Sequence, residues 1–179
     1  KAHGFHIYMA VNISAIDLTD DNFVEFVDKS LKKHCVASKM LMLEVTESAI
    51  MSDPKKAIAI LAKLKIMGVQ LSIDDFGTGY SSMEQLKITP VNELKIDKSF
   101  VLELITSHED AIIVKSITDL AHNLGLSVVA EGVENKESLE MLNAIGVETA
   151  QGYFISKAIH GDEFLPWLLN YEENNVEQT

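Results

Sequence analysis

Cysteine is almost absent from this 179-residue chain. Cys35 stands alone, so no disulfide framework can form, and a reducing compartment fits. That thiol is expected to be inert and partly buried. Long apolar runs are absent too: none approaches the ~18 residues of a membrane-spanning helix, and no signal peptide is visible. Positive charge is scarce, with 15 Lys and Arg against 27 Asp and Glu, a formal net charge of −12. Such a chain is a poor partner for DNA or RNA polymers, although a small phosphorylated ligand remains open to it. There are six histidines: His3, His6, His34, His108, His122 and His160. None sits at the end of an expected strand, which argues against a zinc centre or a histidine-based nucleophilic triad. Low-complexity linkers are missing as well, so one domain is expected, with a polar tail over 171–179.

What the chain does have is apolar residues for one core, 47% of the total. Short β-branched runs alternate with segments of helical period. Strands are expected at 7–14, 40–47, 69–75, 92–97, 126–134 and 149–156. Helices are expected at 20–35, 52–68, 108–125 and 135–146. The first should start at Asp caps and place Phe23, Phe26, Val27 and Leu31 on one face. The second has a Ser or Asp cap, Pro54 in its first turn and Gly68 as its stop.

Serial β/α units imply a parallel sheet, either open and doubly wound or closed into a barrel. Polar residues near the C-terminal ends of the strands favour the barrel. Asn12, Glu44, Asp74, Lys95 and Glu131 occupy five strands, and Gln151 the sixth. Two-residue alternation puts these on one face: in 40–47, Glu44 points away from Leu43 and Val45. In an open sheet six strand ends would spread over roughly 24 Å, at ~4.8 Å per strand. In a TIM-type (β/α)8 barrel they converge on one mouth, where such folds keep their chemistry. Six strands fall short of eight, so about two β/α units are expected on the N-terminal side.

Glu44, Asp74, Asp75 and Glu131, with Asp97 nearby, face one cation, Lys95. That excess of negative charge calls for divalent metal, and carboxylates plus the Asn12 amide are the oxygen donors that Mg2+, Mn2+ or Ca2+ prefer. Adjacent Asp74 and Asp75 suit two ions, which would clamp the attacking and leaving oxygens of a phosphoryl displacement. Lys95 would orient water or hold a phosphate oxygen. The competing reading has strand-end acids capping the following helix or pairing with a surface lysine. Glu47 and Glu134, just past their strands, read as loop supports, and Gly77 and Gly79 as hinges of a loop beside the site.

VNIS (11–14), LEVTES (43–48), DDFGTGYSS (74–82), LKIDKSFV (94–101), AEGVE (130–134) and QGYFIS (151–156), in this order, resemble the EAL-domain cyclic-di-GMP phosphodiesterases. The resemblance implies a modified TIM barrel with two Mg2+ or Mn2+ ions, hydrolysing cyclic di-GMP to linear pGpG in cytoplasmic bacterial signal transduction. It makes Asn12, Glu44, Asp74, Asp75 and Glu131 metal ligands. Lys95 becomes the residue that positions and activates water, with Glu131 and Asp75 sharing the catalysis. Gln151 and Asp97 would contact substrate, and Glu47 would anchor the loop 74–82, which leads to a homodimer interface. An upstream sensor or signalling domain is implied, and no membrane contact. The Glu-Ala-Leu tripeptide occurs nowhere in the chain, and the expected reason is a segment lying before residue 1. Asp17 replaces a usual Gln, and Ala158 a common Pro. Two rivals are a cyclic-di-GMP receptor that no longer hydrolyses, and an enolase-type metal barrel acting on acid sugars, whose plan Asn12 and the Asp pair do not suit.

Overall fold

The computed structural model describes residues 7–79 and 83–176, with side chains up to Tyr171. Tyr80, Ser81 and Ser82 of the loop, His3, His6, and 177–179 of the expected tail lie outside the described residues. Six strands form one sheet: β1 (Met9–Ile13), β2 (Leu41–Thr46), β3 (Gln70–Phe76), β4 (Glu93–Ile96), β5 (Ser127–Glu131) and β6 (Thr149–Gln151). All neighbours are parallel, and the spatial order is the chain order. A doubly wound sheet reverses its order at a switch point. This one never reverses, so it is singly wound and forms part of a barrel wall, as the polar strand ends foretold.

Among the described residues eight α-helices connect and flank the strands: α1 (Phe23–Lys33), α2 (Glu47–Ser52), α3 (Pro54–Ile66), α4 (Met83–Ile88), α5 (Lys98–Leu102), α6 (His108–Asn123), α7 (Lys136–Ile145) and α8 (Gly161–Val176). The core lies between the outer face of the sheet and these helices. Leu43, Val45, Leu71, Ile73, Leu94, Ile96 and Val128 meet Leu61, Leu64, Val114 and Leu142 there. Leu94 and Ile96 are fully buried while Lys95 between them points the other way, which is the alternation that a pleated strand enforces. Helix starts follow side-chain chemistry. Asp53 accepts from Lys56 N ahead of Pro54, Ser107 from Asp110 N and Asn135 from Ser138 N.

Several local expectations are corrected. In α1 Phe23, Val27 and Leu31 are buried, and Phe26, on the same face, lines an open apolar cavity with them beside Met9 and Val11 and is 65% exposed. Its cap residue is Asn22, with no side-chain cap bond; Asp20 instead accepts from Asn22 N. Cys35 is exposed, in a left-handed turn at φ 53° just past α1. The sixth strand is three residues long, because Gly152 turns the chain back over Val133. Helix α8 continues to Val176, so the segment read as a polar tail is helical from Tyr171 to Val176. Helices α2, α4, α5 and α8 were not foreseen; α2 and α5 open directly at strand ends, on caps from Thr46 and Asp97. No helix among the described residues is long and apolar enough to cross a membrane.

Candidate metal-dependent site

Lys95 is the centre of the site. Its side chain is 3% exposed, and its ammonium lies 2.6 Å from Glu131 Oε1, 3.0 Å from Asp74 Oδ1 and 3.1 Å from Glu44 Oε2. An ammonium has three N–H donors, and here three carboxylates surround them. Four consecutive strands supply this arrangement, β2 to β5, each contributing the polar residue of its inward face. Burial alone would push the Lys95 pKa down, but the hydrogen bonds and charges of Glu131 and Asp74 outweigh it and hold the ammonium firmly protonated. Glu131 is lifted above the usual carboxylate range, first by burial and then by the charges of Asp74 and Glu44, against the pull of Lys95.

The Asp pair poses a geometric problem. Adjacent strand residues point to opposite faces, so only one of Asp74 and Asp75 should face the site. A break in the β3–β4 register resolves it: Ile73 pairs with Leu94, but Phe76 pairs with Ile96. One extra residue has been inserted on β3, a β-bulge, and Asp75 takes it up at φ 55° in the left-handed region. Asp tolerates that region better than most residues. Both carboxylates therefore turn to the same side. Atoms of Asp74, Asp75 and Glu131 lie within 4.8 Å of one another, close enough to share one cation. Burial, followed by the charges of Asp74 and Asp97, raises the Asp75 pKa.

The remaining expected residues fall in two groups. Asp97 caps α5, accepting from Ser99 N at 2.9 Å, and also faces Asp75. The capping reading applies here, and the carboxylate lies beside Asp75 as well. Glu47 is buried at the start of α2, under the loop that follows Asp75. A Cβ on Gly79 would lie 2.6 Å from its carboxylate, so the loop backbone is pressed onto Glu47. Gln151 and Glu134 line an open recess of about 320 Å3 beside Glu131, with Lys98 and Tyr153 on its walls. Gly152 keeps Gln151 in place: Val133 N donates to Gln151 O, Phe154 N to Val133 O, and any Cβ on Gly152 would strike the Val133 backbone at 2.1 Å. Asn12 pairs in register with Glu44 on β1, but it is exposed and its side chain makes no hydrogen bond among the described residues.

Sequence reasoning missed Glu93. It is 7% exposed, on the same inward face as Lys95 two residues earlier, and burial raises its pKa. The alternation of ELKI carried that signal. Lys98 and Tyr153, both exposed, were also missed; no period marks a residue that merely borders a recess.

The donors fit a hard divalent cation. They are carboxylate oxygens, with neither Cys nor His among them; three acids meet a single ammonium, and Asp75 lies beside two of them.

Known proteins agree with this geometry. The EAL domain family model matches residues 1–158. MucR of Pseudomonas aeruginosa, a bifunctional diguanylate cyclase/cyclic di-GMP phosphodiesterase, is 42% identical over 157 residues, covering 88% of this chain and 23% of that protein. The structure of its phosphodiesterase in complex with c-di-GMP superposes with a TM-score of 0.84 at 41% identity, over 88% of this chain and 64% of that one. The EAL domain of Mycobacterium smegmatis DcpA gives 0.87 at 41% identity, over 92% and 74%. Klebsiella pneumoniae BlrP1, in a manganese/cy-diGMP complex, gives 0.80 at 30% identity, over 87% and 40%. The chain spans less than a quarter of the length of the curated relatives it matches first. A singly wound parallel sheet, a bulged Asp pair beside a buried lysine, and a family match over most of its length place this chain in the EAL-domain family.

Proposed function

We propose that the acids around Lys95 form the metal-dependent site of a phosphodiesterase that opens cyclic di-GMP to linear pGpG. The observation that carries this reading is the bulge that turns both Asp74 and Asp75 toward Glu131, with Lys95 at hand. Asn12, Glu44, Asp74, Asp75 and Glu131 are the residues that would hold the cations, two Mg2+ or Mn2+. When bound, such ions neutralise phosphate charge and lower the pKa of water.

The chain's own residues do the rest. Water attacks one phosphorus, the P–O3′ bond breaks, and the 3′ oxygen leaves with a proton, giving a 5′-phosphate and a free 3′-hydroxyl. Lys95, held protonated, cannot take a proton; it orients the water and supports the phosphate as a positive pole. Glu131, its pKa raised by burial, accepts the water's proton and passes it to the leaving 3′ oxygen. Gln151 and Asp97 contact substrate, and the recess beside Glu131 takes one nucleoside half. Glu47 holds the loop 77–79 and Glu134 the turn after β5. The domain works in bacterial second-messenger signalling in the cytoplasm, as a homodimer driven by a sensor domain.

Incubation of the full-length protein with cyclic di-GMP and Mg2+, followed by chromatography, tests this. Formation of pGpG is expected, with Ca2+ supporting binding but slow turnover, since it is larger and less strictly octahedral. Binding without product in Mg2+ would instead assign a receptor role.

A further inference from the structure

The acids of the site repel one another. Glu44, Asp74 and Glu131 come from three different strands, and each lies within 3.1 Å of the Lys95 ammonium. Among the described residues no other lysine or histidine forms an ion pair with them. Lys98, on the wall of the recess beside Glu131, is exposed and forms no ion pair among the described residues. Removing one partner of a buried ion pair leaves uncompensated charge, which destabilises far more than the pair itself stabilised. Here three carboxylates would be left at once.

We propose that Lys95 is the built-in counterion of the site: its ammonium holds the inward acids of β2, β3 and β5 together on its own, and divalent cations relieve it of that duty. The role rests on the reading of the acids as cation ligands. It adds a coupling between two events at one place. As long as Glu44, Asp74 and Glu131 hold its ammonium in three ion pairs, Lys95 is kept from a phosphate oxygen or a water molecule. A cation that draws the carboxylates of Asp74 and Glu131 loosens two of the three ion pairs and frees the ammonium. Cation occupancy thereby arms Lys95, and by linkage Lys95 weakens cation affinity by the same factor. A site built this way folds without metal and stays idle until metal arrives.

Thermal unfolding of the full-length protein and of Lys95→Met, each in EDTA and in saturating Mg2+, reads this out without any activity. Met keeps the length and apolar volume of the lysine stem and deletes the charge. In EDTA the variant is expected to melt about 10 °C or more below the native protein, the scale of an orphaned buried charge. In Mg2+ most of that gap should close, so that the metal-induced rise in Tm is several times larger in the variant than in the native protein. An equal loss in both buffers, or no loss in EDTA, overturns the proposal. Should Lys95→Met lack a cooperative transition in both, the double variant Lys95→Met/Glu131→Gln decides. Recovery in EDTA on removing one acid supports the counterion role, and no recovery contradicts it. A native protein whose Tm ignores Mg2+ and Mn2+ would count against the metal reading instead; the double variant in EDTA still tests Lys95 separately.

Discussion

The middle and the flanks of the sheet carry the same sequence signal and put it to different use. Every strand bears a polar residue near its C-terminal end. On β2 to β5 those residues converge: Glu44, Asp74, Lys95 and Glu131 lie inside one network of ion pairs and are mostly buried. On β1 and β6, Asn12 and Gln151 are exposed, and the Asn12 side chain makes no hydrogen bond among the described residues. The apolar residues differ in step. Leu71, Leu94 and Val128 of the inner strands are fully buried, whereas Met9 of β1 is 62% exposed. A strand with neighbours on both sides has its pleat, its register and its side-chain directions fixed by two ladders. Among the described residues β1 and β6 have one neighbour each, so a single ladder fixes them here. Position along a strand names a candidate ligand, but two-sided pairing is what organises it.

If that is right, substitutions in the middle should cost more than substitutions at the flanks. The largest effect is expected at the bulge. Asp75→Asn keeps a residue that tolerates the left-handed backbone and removes a charge, so the fold should survive. Turnover should fall by more than the roughly 10–100-fold that loss of a residue supporting a metal ligand costs. Steady-state kinetics at saturating Mg2+, with circular dichroism for the fold, checks it; unchanged turnover would detach the Asp pair from the chemistry.

A smaller but still clear loss is expected at Gly152→Ala. The new Cβ meets the Val133 backbone, which no rotamer can relieve. A destabilisation of about 1–3 kcal/mol, the usual cost of overpacking, should appear in urea unfolding. At the flanks the effects should shrink. Gln151→Ala should raise KM about fivefold, the worth of one hydrogen bond, with kcat held. Asn12→Ala should leave stability within about 0.5 kcal/mol, as exposed positions do. A drop in stability at Asn12 of more than about 1 kcal/mol would erase the contrast between flank and middle.

The smallest effect concerns pH. Hydrogen bonds from the Ser14 side chain at 2.6 Å and from its backbone N–H at 2.8 Å hold the Asp17 carboxyl below its ordinary value of 3.8. A carboxyl depressed in the folded state contributes stability that is complete above its unfolded pKa and fades as pH falls through its folded one. Asp17→Asn should therefore cost about 1 kcal/mol or less at pH 7. It should cost less still below pH 3.8. Denaturant unfolding at pH 7 and pH 3 measures the difference.

Much of this architecture was legible in the sequence. Two-residue alternation found all six strands, and the one-sided polar residues identified the barrel and its mouth. The Asp pair was legible as chemistry but not as geometry. Strict alternation forbids both carboxylates on one face, and only the register break at Ile73 and Phe76 admits them. Asp97 shows a second limit: a strand-end carboxylate can cap a helix and face the site at once, so the two readings were never exclusive. Cys35 was misjudged because it falls past the end of α1, in a left-handed turn that no helical period describes. Helices α2 and α5 are five or six residues long, too short for any period to show.

The most direct test is titration of Mn2+ into the native protein and into Asp75→Asn, followed by calorimetry. Saturable binding that the variant weakens by tenfold or more is the expected result. Native binding that Asp75→Asn leaves unchanged, or no binding at all, would contradict the account of the acids around Lys95 as a cation site.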